Sequence, residues 1–313
     1  MSTVEVGLHC DGDAWEPEHL TFVEDAGFDI LTTGEHIVFH RPILEAVSVL
    51  GYAAAVTSKI KLAPATLILP LRHPTMVAKY FSSLDVLSKG RIILTVGAGG
   101  DYPREFHACG VPKQERGIRS TEAIEIIKKY WSGGRFDYHG KIFQLEDVDL
   151  LPLPVQPGGP PIWVSGRSNG AMRRAAVLGD GWHPYFFTPA QCRESFSQVK
   201  AIAADTGRTL PENYVFACFI YCSMYDDVKE ARDRAVETLN YRYKQPFEKI
   251  VDKYCAYGPP SRVVESLSRF VEAGASKLLI GLIMPAEQRL AYIERFAKEV
   301  LPELHRLEAA SVP

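Results

Sequence analysis

Three clusters of residues in this chain have the types and spacing to do chemistry. Gly34-Glu35-His36 closes the strand-like run FDILTT, and a histidine beside an acidic residue is a common arrangement for moving a proton near neutral pH. A histidine held by structural hydrogen bonds looks the same in sequence, so both readings stand at this point. Ser165-Gly166-Arg167-Ser168-Asn169-Gly170 leads straight into the helical segment AMRRAAVL. Small residues at a helix start leave backbone N–H groups and the positive end of the helix dipole open to an anion, which makes Ser165, Gly166, Arg167 and Ser168 a candidate phosphate seat. Arg167 can add a charge-assisted donor; the plain alternative is that Ser168 only caps the helix. Gly97-Ala98-Gly99-Gly100 lets a ligand approach the backbone at Gly97 and Gly99, although tight turns need glycine anyway and the spacing is not G-x-G-x-x-G. Of the remaining histidines, His73 beside Pro74 suits a helix cap, and His183 after Asp180-Gly181-Trp182 can face a ligand. His36 and His40 are the only Cys or His pair at metal-ligand spacing, too thin a pattern for a metal site, so none is expected.

These residues need a scaffold. Short apolar runs at 4–10, 28–33, 60–69, 91–97, 161–165, 181–185, 214–222 and 277–283 alternate with segments of helical period at 17–26, 43–58, 74–88, 116–131, 168–178, 189–206, 226–243, 260–273 and 286–307. Eight strands alternating with helices predict an α/β fold, a (β/α)8 TIM barrel with one helix to spare; an open doubly wound sheet is the alternative. Pro17, Pro74 and Pro189 mark helix starts, while Gly27, Gly90, Gly179, Gly207 and Gly274 mark helix ends. Residues 133–160 read as a hairpin-like insertion before strand 5, and 244–259 as a helical insertion before the last unit. With no linker or repeat, 1–313 is expected to be a single domain. In a barrel the chemistry sits at the carboxyl ends of the strands, where all three clusters fall.

The net charge of −3 and the lack of long like-charge runs argue against nucleic acid or an anionic membrane as partner, leaving a small-molecule substrate. The N-terminus lacks a basic and then apolar leader, and no stretch is apolar enough to span a bilayer, so a cytoplasmic location is expected. The six scattered cysteines then read as reduced, mostly buried thiols.

Several blocks in order carry a resemblance to a known family: EDAGFDILTTGEH (24–36), LPLRHPTMVAK (69–79), LDVLSKGRIILTVGAG (84–99), EFHACGVPKQERGIR (105–119), PLPVQPGGPPIWVSGRS (152–168) and AAVLGDGWHP (175–184). Together they resemble the bacterial luciferase-like family, particularly its deazaflavin-dependent branch. The resemblance implies a barrel that binds FMN or coenzyme F420 at the strand ends, with the phosphate at the loop after the fifth strand. It implies that His36 lies near the reactive edge of the ring, and that Ala65-Thr66 matches the position of a non-proline cis peptide supporting the ring's face. Dimers or larger assemblies are also implied. The chain departs from the pattern in two places: the loop after His36 (IVFHRP) is short, and Gly100 stands where some deazaflavin-dependent members carry a glutamate acid, with only Asp101 close by. Three functions follow as expectations: F420-dependent hydride transfer to or from a small organic substrate, monooxygenation with reduced FMN from a separate flavin reductase, and a non-catalytic flavin-binding barrel.

Overall fold

The polypeptide closes eight parallel strands into a ring. The computed structural model describes residues 3–10 and 15–309. Its barrel strands are β1 (Glu5–Cys10), β2 (Ile30–Thr33), β3 (Lys61–Pro64, resuming at Leu67–Ile68), β4 (Leu94–Gly97), β5 (Ile162–Ser165), β6 (Gly181–His183), β7 (Val215–Met224) and β8 (Lys277–Leu282). Each pairs in parallel with the next, and β8 returns to β1 through Glu5↔Lys277 to Leu8↔Ile280, so the sheet is closed and the doubly wound alternative is excluded. The break in β3 falls at Ala65-Thr66, which are joined by a cis peptide bond. Before the break β3 pairs with β2, and after it with β4.

The helix boundaries follow local chemistry. Pro17, Pro74 and Pro189 each occupy the first helical turn, where a missing N–H leaves nothing unpaired. His73 caps the helix Pro74–Ser88 by accepting from the Thr75 amide, as its position beside proline suggests. Gly27, Gly90, Gly207 and Gly274 adopt left-handed φ after helix ends, but Gly179 is extended; there a Cβ would lie 3.0 Å from the Ala175 carbonyl oxygen, and glycine gives clearance.

The spare helix is explained by the β7–β8 connection, which holds both Val228–Tyr243 and Pro260–Glu272. The insertion between them is only partly helical. A short helix, Val251–Tyr254, is followed by a strand, Cys255–Gly258, that pairs in parallel with Tyr221–Met224 of β7. Residues 222 and 221 use their other edge for β8, so this strand extends the β7 edge beyond the pairing with β6 and the Tyr185↔Phe219 bridge that follows it. The insertion before β5 is an antiparallel hairpin of Phe136–His139 and Gln144–Val148, anchored by the Glu122 carboxylate, which accepts from the Lys141, Ile142 and Phe143 amides. The segment 286–307 is not one helix but a 3-10 turn followed by Arg289–Glu299 and Leu301–His305.

Inside the ring, Ile30, Ala63, Ile93, Trp163, Ala217 and Leu279 form a separate buried cluster that plugs the barrel. Along a strand every second side chain returns to the same face, so the next inward layer is His9, Thr32, Thr95, Ser165, His183 and Phe219. That layer is largely polar and faces the carboxyl ends. Among the described residues no helix is long and apolar enough to cross a membrane.

Candidate active site at the strand ends

A cavity of about 690 Å³ opens above the polar layer, within the size range of small-molecule sites. His36, Ala65, Thr66, Gly97, Gly99, Ser165, Gly166, Arg167 and Ser168 all line it. The sequence therefore placed its candidates around one space.

One side is built on His36. Its acidic neighbour in sequence, Glu35, is not its partner in space. Adjacent residues leaving a strand point opposite ways, and Glu35 turns into the protein, where its carboxylate accepts from the Ile68 amide (2.6 Å) and from both terminal nitrogens of Arg72 (3.0 and 2.7 Å). Burial pushes the Glu35 carboxyl up, against the pull of Arg72 and the Ile68 N–H. The partner of His36 is Glu105, which is 1% exposed; it lies 3.1 Å from Nδ1 and also accepts from the Ile37 amide at 2.7 Å. An ionised carboxylate can only accept, so it holds the proton on Nδ1 and leaves Nε2 for the cavity. Phe39 stacks on the imidazole, 3.8 Å between centroids at 3°. Glu105 was missed because DYPREFHACG does not read as a clean helix, yet Pro103–Ala108 is one short helix that turns Glu105 inward. The available signal was a proline-initiated turn carrying a carboxylate just beyond a strand end. His40, the other member of the sequence pair, lies instead against the Tyr102 hydroxyl (3.0 Å) and the Tyr241 carbonyl (3.3 Å).

The opposite side is built on the turn after β5. Ser168 caps the helix Asn169–Leu178 by accepting from the Ala171 amide at 3.3 Å, and it also lines the cavity, so the capping and phosphate-seat readings are compatible. Gly166 has φ +153, and a Cβ there would sit 2.7 Å from that of Ala171. Two arginines that sequence reasoning passed over converge here. Arg174 lies on the first turns of that helix and Arg116 at the start of Arg116–Ser132; both line the cavity, and their hydrogen bonds go to the carbonyls of Gly117 and Lys113. Neither has an acidic partner among the described residues. Burial and the neighbouring Arg116 charge lower the Arg174 pKa, the mark of cations held together without an anion. Arg167 is more exposed and lies over the Tyr185 ring, 4.9 Å from its centroid. The Gly100 departure fits this arrangement: a side chain there would meet Arg116 Nε at 3.1 Å, and nearby Asp101 accepts from the Tyr185 hydroxyl at 3.2 Å.

The floor holds two neutral imidazoles. His9 Nδ1 lies 3.0 Å from Thr32 Oγ1, while both ring nitrogens of His183 are buried without a hydrogen-bond partner among the described residues. Burial, aided by Arg242 and Arg41 for His9 and by His9 for His183, lowers each pKa to about 3. The folded protein thus takes up these protons later than the unfolded chain, so the stability they contribute is present above pH 6.5 and is lost as pH falls toward about 3. Two such groups steepen acid unfolding by up to about 2.7 kcal/mol per pH unit in that window. Denaturant melts across it are expected to show about half that slope in His183→Phe; an unchanged slope would contradict the assignment.

The comparisons bear on this geometry. The chain is 26% identical, over 97% of its own length and 98% of the relative's, to the F420-dependent glucose-6-phosphate dehydrogenase of Beutenbergia cavernae. Its fold matches an F420-dependent secondary alcohol dehydrogenase in complex with an F420-acetone adduct, with a TM-score of 0.85 and 19% identity over 97% of this chain and 99% of that one. It also matches the oxygenating constituent of 3,6-diketocamphane monooxygenase of Pseudomonas putida in complex with FMN, with a TM-score of 0.74 and 20% identity over 98% and 100%. The model of the luciferase-like monooxygenases matches residues 16–277, a span that takes in every strand from β2 to β7 and every residue placed around the cavity except His9. With the closed barrel and that match together, the chain belongs to the luciferase-like monooxygenase family.

Proposed function

We propose that this protein is an F420-dependent oxidoreductase that moves a hydride to or from a small organic substrate. The observation that carries this reading is the pairing, across one cavity, of a cationic seat (Arg116, Arg174 and Arg167 around the turn after β5) with the His36–Glu105 pair. The residues fit a phosphate-bearing planar cofactor. Ser165, Gly166 and Ser168 offer backbone and hydroxyl donors, and Ala65, Thr66, Gly97 and Gly99 make a wall poor in side chains. Three arginines are more positive charge than one monophosphate needs, which favours F420, with its phosphodiester and carboxylate tail, over FMN. The similarity to a named F420-dependent relative supports the same choice.

When bound, F420 supplies a two-electron hydride donor or acceptor at its ring. The chain's own part is to hold that ring and the substrate face to face and to move a proton. His36, with Nδ1 fixed by Glu105, gives or takes the substrate's proton at Nε2. On the FMN reading the same seat would hold the phosphate, and a flavin reductase would be needed as partner. Arg174→Met is expected to weaken F420 binding, followed by the cofactor's absorbance, by about 1.5–3 kcal/mol, roughly 10- to 150-fold. Arg167→Ala, exposed and stacked on Tyr185, should cost about 1 kcal/mol. Unchanged affinity in both variants would remove the phosphate from this turn.

A homodimer fits the surface. Tyr80, Leu87, Leu151 and Val155 are exposed, Leu87 and Leu151 by 72% and 73%, and Lys79 and Ser82 tie the 151–152 connector to the helix that carries Leu87 by bonding the Leu151 and Pro152 carbonyls. Sedimentation at micromolar concentration should give a dimer, and Leu87→Glu with Leu151→Glu a monomer; a monomeric unaltered chain would contradict this. Cys109, Cys192, Cys218, Cys222 and Cys255 are free thiols, which suits a reducing compartment, so we assign the protein to the cytoplasm.

A further inference from the structure

We propose that His183 is a positioning residue that hydrogen-bonds the oxygen of a carbonyl or alcohol substrate on the β1–β6–β7 side of the cavity. This rests on the oxidoreductase reading above. The polar layer over the barrel plug is not uniform. On the β3–β5 side it meets the Ala65-Thr66 step and the phosphate turn, with Ser165 of β5 in register with His183 of β6. On the other side it is walled by aromatic rings. His9 stands edge-on to Phe219 at 4.9 Å, His183 lies 6.4 Å from the same ring, and Phe219 packs edge-on to Tyr221 at 5.0 Å. Glycine makes this wall possible, because a Cβ on Gly281 of β8 would meet Tyr221 at 2.7 Å and Phe219 at 3.1 Å. Tyr221 is fixed in turn by its hydroxyl, 2.7 Å from that of Tyr243. The half of the cavity away from the phosphate turn is thus walled by rings, with the Arg242 guanidinium 5.0 Å from the Tyr221 ring centroid, and suits an aromatic body.

Within that ring-walled half His183 is 2% exposed and lines the cavity, and neither ring nitrogen has a partner among the described residues. A buried polar group left unpaired costs about 1–3 kcal/mol, so a native structure that keeps one at a cavity wall is arranged to pair it with what enters. The chemistry of the couple selects an imidazole. A carbonyl oxygen can only accept, whereas the hydroxyl formed from it both donates and accepts. A neutral histidine, with one N–H and one bare nitrogen, donates to the first and donates to or accepts from the second, with no change of charge. His36 lines the same cavity beside Glu105, so the two histidines divide the work: His183 orients the oxygen and His36 exchanges its proton.

The test uses acetophenone and ethylbenzene, a pair that differs in the oxygen, titrated calorimetrically into the F420-loaded protein. Acetophenone is expected to bind about tenfold tighter. His183→Phe should abolish the preference while leaving F420 affinity unchanged, and His183→Gln, which keeps a donor and an acceptor, should restore most of it. Retained preference in His183→Phe overturns the proposal and assigns the unpaired nitrogens to a trapped water. A tenfold loss of F420 affinity in His183→Phe, with the preference intact, overturns it in favour of a contact to the cofactor ring. Failure of the unaltered protein to bind either F420 or FMN would instead sink the cofactor reading; the preference for acetophenone and its loss in His183→Phe, measured without cofactor, would still support the oxygen site.

Discussion

Replacing His36 with Ala is expected to lower turnover by about 10²–10⁴ while leaving F420 affinity and the melting temperature nearly unchanged. The structure sharpens the reasons. Among the described residues His36 makes one side-chain hydrogen bond, to Glu105, and its side chain is 28% exposed at the cavity wall, so its removal leaves no large void, and the buried Glu105 carboxylate keeps the Ile37 amide as a partner. Its structural attachments are modest, whereas Nε2 is the nitrogen that the Glu105 contact leaves able to take or return a proton. Glu105→Gln should act through it: the amide still accepts from the Ile37 N–H but no longer fixes the imidazole tautomer by charge, giving a smaller fall in turnover with unchanged F420 affinity. Melting temperature, F420 affinity and single-turnover rate on one preparation separate the readings. Normal single-turnover rates in a folded His36→Ala protein would end the catalytic assignment, and a large loss of stability together with cofactor would make His36 structural.

The largest stability effect is expected at Arg72, not at the site itself. Arg72→Met leaves the fully buried Glu35 side chain without its bidentate partner, and breaking a buried ion pair from one side costs about 3–5 kcal/mol. Arg72 also bridges to Glu45, which caps the helix Ala46–Val56, so the loss spreads to the loop between β2 and that helix. Because Glu35 also holds the Ile68 amide just past Ala65-Thr66, F420 affinity should fall with stability. Removing both charges in Arg72→Met with Glu35→Leu should recover much of the cost. Denaturant unfolding that places the single variant within about 1 kcal/mol of the unaltered protein would contradict the role given to the pair.

How far the sequence could be read follows from the range of the interactions. Strand positions, proline-led helix starts and the two small-residue turns are local, and each stands where its residues suggested. Much of what carries the family resemblance proves to hold the fold. Glu24 accepts from the Ser58, Lys59 and Ile60 amides, which lowers its pKa to about 2, and Asp180, just before β6, accepts from the Ile162 amide at the start of β5. Glu105 and Arg174 were not legible for the opposite reason. Glu105 meets His36 across 69 residues, and Arg174 meets Gly117 across 57, so only the closed barrel brings them to the cavity. Pairing His36 with Glu35 failed because sequence adjacency at a strand end puts side chains on opposite faces. The extra strand Cys255–Gly258 was hidden because four residues between two helices carry little periodicity, and only the free edge of β7 makes them a strand.

The central claim, that this barrel works with a deazaflavin held at the turn after β5, is tested most directly by titrating one preparation with F420 and FMN in parallel. Saturable binding of F420 at least tenfold tighter than FMN, and weakened by Arg174→Met, is the predicted result. FMN binding tighter than F420, or F420 affinity indifferent to Arg174→Met, would contradict it.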